Sequence, residues 1–154
     1  MKQHIFLLIM ILSMAISSCK KSDTDKENEA ISTGMEKLAL KKNTNWLVIL
    51  PGAGCKGCIQ EGEAFMRDFI DNPQVMFVLT NTKSFKILQQ KTGISLKEHD
   101  NVYVDKDRLF DMPTNNAIYP CIVQLDNGKP VKHQFQSPQS GQAFEGLRVK
   151  LSND

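Results

Sequence analysis

Two short, uninterrupted apolar runs limit the fold most: Trp46-Leu47-Val48-Ile49-Leu50 and Val75-Met76-Phe77-Val78-Leu79. Neither has a polar residue to turn toward water, so each fits a strand buried on both faces, in a central or parallel position. Pro51-Gly52 stops the first run. Between the two, Cys58 to Asp71 places Ile59, Phe65, Met66, Phe69 and Ile70 on one broad stripe, and Asn72-Pro73 ends it, which predicts a helix.

The rest of the chain continues the alternation. Ala30 to Lys42 carries Ile31, Met35, Leu38 and Leu40, a weak helical pattern, and Ser84 to Lys91 carries Phe85, Ile87 and Leu88 with Gly93 as C-terminal cap. Val102-Tyr103-Val104 predicts a short strand. Cys121 to Leu125 predicts another, Asp126-Asn127-Gly128 is a hairpin turn signal, and Val131 to Phe135 returns antiparallel, with Pro130 suited to the start of an edge strand. Ser137-Pro138 reads as N-cap and first position of a last helix whose apolar face is Ala143, Phe144, Leu147 and Leu151. The expected class is α/β: a mixed central sheet with helices on both faces, closed by a β-hairpin and a C-terminal helix.

The chain has 154 residues, 41% of them hydrophobic, enough for a single core and here assigned to one domain over residues 30–154. Lys plus Arg is 19 and Asp plus Glu is 17, a balance that argues against a nucleic-acid partner. No apolar run reaches the roughly 20 residues of a membrane-spanning helix.

The first residues read as an address. Lys2 precedes an apolar stretch from Ile5 to Ile16, followed by Ser17, Ser18 and Cys19, the order of a secretory signal over residues 1–18. Ile16-Ser17-Ser18-Cys19 resembles a bacterial lipobox, which implies cleavage before Cys19 and lipidation of that cysteine. An ordinary signal with an incidental Cys19 is the alternative. Acyl chains would then hold the protein to a membrane surface in the cell envelope, on the periplasmic side, where disulfides persist. Lys20 to Glu29 contains no apolar residue and is expected as a disordered, solvated tether over residues 19–29.

The chemistry is expected at Cys55-Lys56-Gly57-Cys58, which follows the first strand and a Pro51-Gly52-Ala53-Gly54 turn and opens a helix. At a helix N-terminus, unpaired N–H groups and the helix dipole favour a thiolate, the attacking species in thiol–disulfide exchange. Lys56 adds a nearby cation or is a solvated spacer. The pair also admits other readings: a structural disulfide, coincidence, or half of a zinc site. The remaining zinc candidates, Cys121, His99 and His133, are scattered singly and follow no zinc spacing. No cofactor is called for.

From Asn45 to Leu151 the sequence resembles the thioredoxin-like superfamily, most closely its extracytoplasmic TlpA/ResA-type thiol–disulfide oxidoreductases. Three features carry the resemblance. They are the strand–Cys-x-x-Cys–helix unit at Trp46 to Asp71, Glu61 three residues after Cys58, and the segment from Ile118-Tyr119-Pro120-Cys121 to Asp126-Asn127-Gly128. The resemblance implies a thioredoxin-like fold, with Cys55 as exposed nucleophile and Cys58 as buried resolving cysteine. It further implies that Pro120 is a cis-proline packed beside the pair and that the Tyr119 backbone binds substrate. Departures are Gly54, where the family usually has an aromatic residue, Ile49 in place of a buried acid, and Glu63 in place of a proline.

Two functions are consistent with this reading. One is an anchored oxidoreductase, monomeric, acting on thiols or disulfides of exported proteins and supplied by a membrane-embedded thiol donor. The other is a non-enzymatic thioredoxin-like lipoprotein with a structural Cys55–Cys58 bridge that binds an envelope partner. Cys121 is read as a small apolar strand residue, with a third redox thiol as the alternative. His99, His133 and Tyr103 are read as ordinary surface or edge residues.

Overall fold

The computed structural model describes residues 20–153. The signal peptide expected over residues 1–18 and the lipidated Cys19 lie outside them. Among the described residues, four α-helices surround one sheet of five strands: α1 (Asp23–Met35), β1 (Trp46–Pro51), α2 (Lys56–Phe69), β2 (Val75–Thr80), α3 (Phe85–Thr92), β3 (Val102–Asp105), β4 (Cys121–Asp126), β5 (Lys129–Phe135) and α4 (Ala143–Ser152). None of these helices is long and apolar enough to cross a membrane.

The sheet order is β3-β2-β1-β4-β5. β1, β2 and β3 run parallel, and β4 lies antiparallel to β1 with Ile49 opposite Cys121. Both apolar runs are buried along their whole length, which their lack of polar residues requires. The β4–β5 turn puts Asn127 at φ 49° and Gly128 at φ 76°, the two left-handed residues of a tight hairpin. A bulge between Gln124 and Leu125 sets Pro130 opposite Leu125 on the outer strand, where its missing N–H costs no central ladder bond.

Side-chain alternation along the strands divides the core in two. Trp46, Val48 and Leu50 of β1 join Phe65 and Met66 of α2, Leu88 of α3, and Phe144, Leu147 and Leu151 of α4. Phe65 and Phe144 stack with ring centroids 4.9 Å apart. Leu47 and Ile49 join the second cluster, with Ile31 and Met35 of α1, Phe110 and Met112 of the segment after β3, and Cys121 and Val123 of β4.

The N-terminal segment corrects the expectation of a tether. Ser22 caps α1 in a reciprocal box with Asp25: the Asp25 N–H donates to Ser22 Oγ at 3.1 Å and the Ser22 N–H to Asp25 Oδ2 at 3.1 Å. Asp23 and Asp25 lie in the first turn, where the helix dipole favours negative charge. The buried stripe is Glu27, Ile31, Gly34 and Met35. Its spacing is helical, but its first member is a carboxylate, so an apolar search finds only Ile31 and Met35, and the helix expected over Ala30 to Lys42 instead spans Asp23–Met35, with Leu38 and Leu40 beyond its end. Gly34 lets Phe110 approach: a Cβ there would lie 2.8 Å from the Phe110 ring.

The last helix also begins later than expected. Ser137 and Pro138 belong to a turn closed by the Ser140 N–H on the Ser137 carbonyl at 3.0 Å, and α4 starts at Ala143. Its N-cap residue, Gln142, makes no side-chain cap. The carboxamide of Gln136 substitues from outside the helix, its Oε1 accepting from the Phe144 N–H at 3.2 Å.

Candidate functional site

The buried β1 strand ends at Pro51, and the Gly52 N–H donates to the Thr80 carbonyl at 2.9 Å, tying the following turn to the end of β2. A Cβ on Gly52 would lie against the backbone of Asn81 and Thr82. Gly54 has φ +146°, which disfavours any residue with a side chain, and a Cβ there would run into the Ile118 backbone. The Cys55 N–H donates to the Ile118 carbonyl at 3.0 Å. The turn is thus held on one side by the segment after β2 and on the other by the segment before β4. The second contact gives a physical reason for Gly54 at a position where an aromatic residue was the family expectation.

Cys55 is the N-cap residue of α2, and its carbonyl accepts the Ile59 N–H at 2.9 Å, the first helical bond. Cys55 and Cys58 are disulfide-bonded with their Cα atoms 5.4 Å apart. Cys55 is partly exposed and Cys58 is 7% exposed, so Cys55 is the more accessible residue of the pair. No acidic residue lies in the first turn of α2, and the N-terminal end of the dipole is not neutralised there. In the bridged form neither sulfur is a thiolate ligand. Among the described residues, no three His, Cys, Asp or Glu side chains gather as a metal site.

The segment from Ile118 to Pro120 reaches the turn as its sequence position suggested, but through a different contact. The Tyr119–Pro120 bond is trans, as are all the described peptide bonds, which corrects the expected cis-proline. Tyr119 has φ −111° and ψ 144°, the extended shape that a following proline favours, and it leads straight into β4. Ile118, rather than Pro120, makes the identified contacts with Gly54 and Cys55. Pro120 is buried, and its carbonyl accepts the Gln136 N–H at 2.9 Å; Tyr119 is half-buried.

Glu61 accepts a hydrogen bond from the Gln136 Nε2 group. Gln136 is 2% exposed and also donates from Nε2 to the Gly141 carbonyl at 2.8 Å. One buried side chain therefore joins α2, the start of α4 and, through its backbone, the Pro120 segment. Nothing in the local sequence singles it out, because its partners are distant in the chain.

A second polar centre was also hidden. Glu27 is 3% exposed and accepts hydrogen bonds from Thr114 Oγ1 and Asn116 Nδ2, the latter at 2.8 Å. His133 Nε2 lies 2.9 Å from the same carboxylate, and its Nδ1 lies 3.0 Å from Asn28 Oδ1. Burial pushes the Glu27 carboxyl up, but the bonds from Thr114, His133 and Asn116 outweigh it and hold the group below the usual carboxylate range. His133 is therefore a fastening of α1 to β5 rather than an ordinary edge residue. His99 lies 3.6 Å from Asp71, and Tyr103 packs edge-on against Phe110 with ring centroids 6.2 Å apart.

Cys121 is fully buried and free, in the cluster opposite the face that α2 covers. Burial pushes its thiol far up, and the nearby Glu27 carboxylate pushes it further. A protonated, enclosed thiol is a small apolar strand residue.

Comparison with known proteins gives no match to this chain among family models, curated proteins or solved structures.

Proposed function

We propose that this chain is a thioredoxin-like thiol–disulfide oxidoreductase of the cell envelope, anchored through Cys19 and working through the Cys55–Cys58 pair. The observation that carries the reading is the placement of the bridge. It spans the junction between a fully buried strand and the N-terminus of α2, with the partly exposed sulfur first and the buried one a turn inside. The sheet order and the β4–β5–α4 ending also support a thioredoxin-like assignment. The trans Tyr119–Pro120 bond is a departure from that family's pattern.

In the oxidised form, a substrate thiolate attacks Cys55 Sγ. A substrate–Cys55 disulfide forms, and the Cys58 thiolate leaves. A second substrate thiolate then attacks the substrate sulfur of that mixed disulfide and releases the Cys55 thiolate. The substrate dithiol has lost two electrons and two protons, and the protein is left as a dithiol. The reverse sequence reduces a substrate disulfide: Cys55 attacks, and Cys58 resolves the mixed disulfide. A dithiol donor of the envelope membrane would then return the bridge to the reduced state. The helix N-terminus stabilises the Cys55 thiolate as attacking or leaving group in either direction.

The test is catalysis of insulin reduction by a small dithiol, with the reduction potential of the bridge measured on the same protein. Turnover that is lost in Cys55→Ser, together with a potential above about −300 mV, supports the oxidoreductase. No turnover above the Cys55→Ser background and a potential well below that value would replace it with a partner-binding module carrying a structural bridge.

A further inference from the structure

We propose that the face around the Cys55–Cys58 bridge docks acidic polypeptide segments. An apolar side chain of the segment sits in the groove beside Ile59 and Ile87, and its carboxylates lie against Lys56, Lys83 and Lys86. The proposal rests on the exchange reading and names its substrate class.

Three segments meet at this face. Residues 51–60 carry the bridge. Residues 81–87 touch them where Gly52 lies against Asn81 and Thr82, and residues 113–120 touch them where Ile118 lies against Gly54 and Cys55. Together they hold three lysines, Lys56, Lys83 and Lys86, and no Asp or Glu, in a chain whose total is 19 basic and 17 acidic residues. These three segments therefore carry a local charge of +3, and Glu61, which follows the first of them, is engaged by Gln136. All three lysines are exposed, and none takes part in an ion pair among the described residues. α2 and α3 both begin here, and neither has an acid in its first turn, so two helix N-termini add partial positive charge to the same face.

The face is also apolar. Ile87 is 54% exposed and Ile118 is 44% exposed, two of only four large apolar side chains so exposed among the described residues. Between α2 and α3 lies a groove of about 210 Å³ lined by Leu50, Ile59, Leu79, Ile87 and Leu88, which opens beside Pro51 and Gly52. Its acidic lining residue, Glu63, is engaged by Lys91 at 3.3 Å and leaves Lys83 at the groove without a carboxylate partner. Unpaired cations around an apolar groove complement a carboxylate-flanked apolar side chain. An anionic lipid surface would satisfy the lysines but gives no role to a groove of this shape beside the bridge.

The test uses the full-length chain in neutral detergent and two dithiol peptides that share a central leucine and differ only in flanking Asp or Lys. The readout is the ratio of their rates of oxidation by the Cys55–Cys58 bridge, which a general loss of activity leaves alone. The acidic peptide should react roughly tenfold faster at low salt, and the ratio should fall toward one at about 0.5 M salt. Lys83→Glu/Lys86→Glu should invert it, and replacing the central leucine by serine should slow the acidic peptide. A ratio near one in the wild type, or one that survives the charge reversal, overturns the proposal. So does lysine-dependent retention on phosphatidylglycerol vesicles accompanied by a peptide ratio near one. If no peptide and no neutral dithiol exchanges with the bridge, the exchange reading fails by itself. Binding of the cysteine-to-serine acidic peptide, followed by amide shifts over residues 51–60 and 81–87, then decides the docking surface independently.

Discussion

Cys58 and Cys121 are both buried, at 7% and 0% exposure, and each lies at the start of a regular element. Cys58 lies in the first turn of α2 and is joined to Cys55, a partly exposed residue. Cys121 opens β4 opposite Ile49, packed in the cluster that contains Ile31 and Met35 of α1. Burial and the Glu27 carboxylate keep its thiol protonated, whereas the α2 N-terminus favours thiolate at the other pair. Burial is common to both. The difference comes from the dipole at one site and an enclosed, negatively charged neighbourhood at the other.

Substitutions at the two sites sharpen this contrast most. Cys55→Ser should abolish exchange, and Cys58→Ser should accumulate mixed disulfides through Cys55, detectable by non-reducing electrophoresis. Cys121→Ala should keep its turnover and lose about 1–2 kcal/mol of stability to the small cavity, measured by urea unfolding. Loss of turnover in Cys121→Ala with unchanged stability would erase the distinction. Alkylation of the reduced, folded protein extends the test: Cys55 should label first, Cys58 more slowly, and Cys121 only on unfolding, as peptide mapping would reveal.

Gly54→Ala should cost about 2 kcal/mol or more, because it combines a left-handed φ with a collision against the Ile118 backbone. Its exchange rate should fall as the turn that presents Cys55 is displaced. A variant as stable and as fast as wild type would mean that the Ile118 contact does not hold the turn. The smallest expected effect concerns the carboxylate beside Cys121. Glu27 has a lowered folded-state pKa, so its contribution is full above the ordinary carboxylate value and is lost as pH falls through the lowered one. Wild type should therefore lose stability over that acidic range by roughly 1 kcal/mol more than Glu27→Gln, measured by urea midpoints at a series of pH values. Parallel curves for the two proteins would remove Glu27 as the source.

The strands and helices that position the bridge were legible because their signals are local. Apolar runs, a helical stripe over α2, Gly93 as a C-cap at φ 72°, and the Asn127-Gly128 turn each act over a few residues. Local sequence places the start of α4 too early because Ser137-Pro138 carries a cap signal, while the group that caps the helix is Gln136, directly after β5 at the start of the connecting loop. The tether expected over residues 19–29 fails for a related reason. Nothing in Lys20 to Glu29 is apolar, and the burial of Glu27 depends on Thr114, Asn116 and His133, more than eighty residues away.

By itself the sequence determined the α/β alternation and the position of a Cys-x-x-Cys at the junction of a buried strand and an amphipathic helix. Periodicity and turn chemistry are properties of neighbouring residues, so they survive without a fold. Only the tertiary structure decided that the Ile118 backbone lies against Gly54 and Cys55, that Gln136 joins α2 to the start of α4, and that the segment carrying Lys83 and Lys86 adjoins the one carrying Lys56 and the bridge. Those outcomes depend on which distant segments pack together, and a buried carboxylate or a glycine under a passing backbone is favourable only once its partners have arrived.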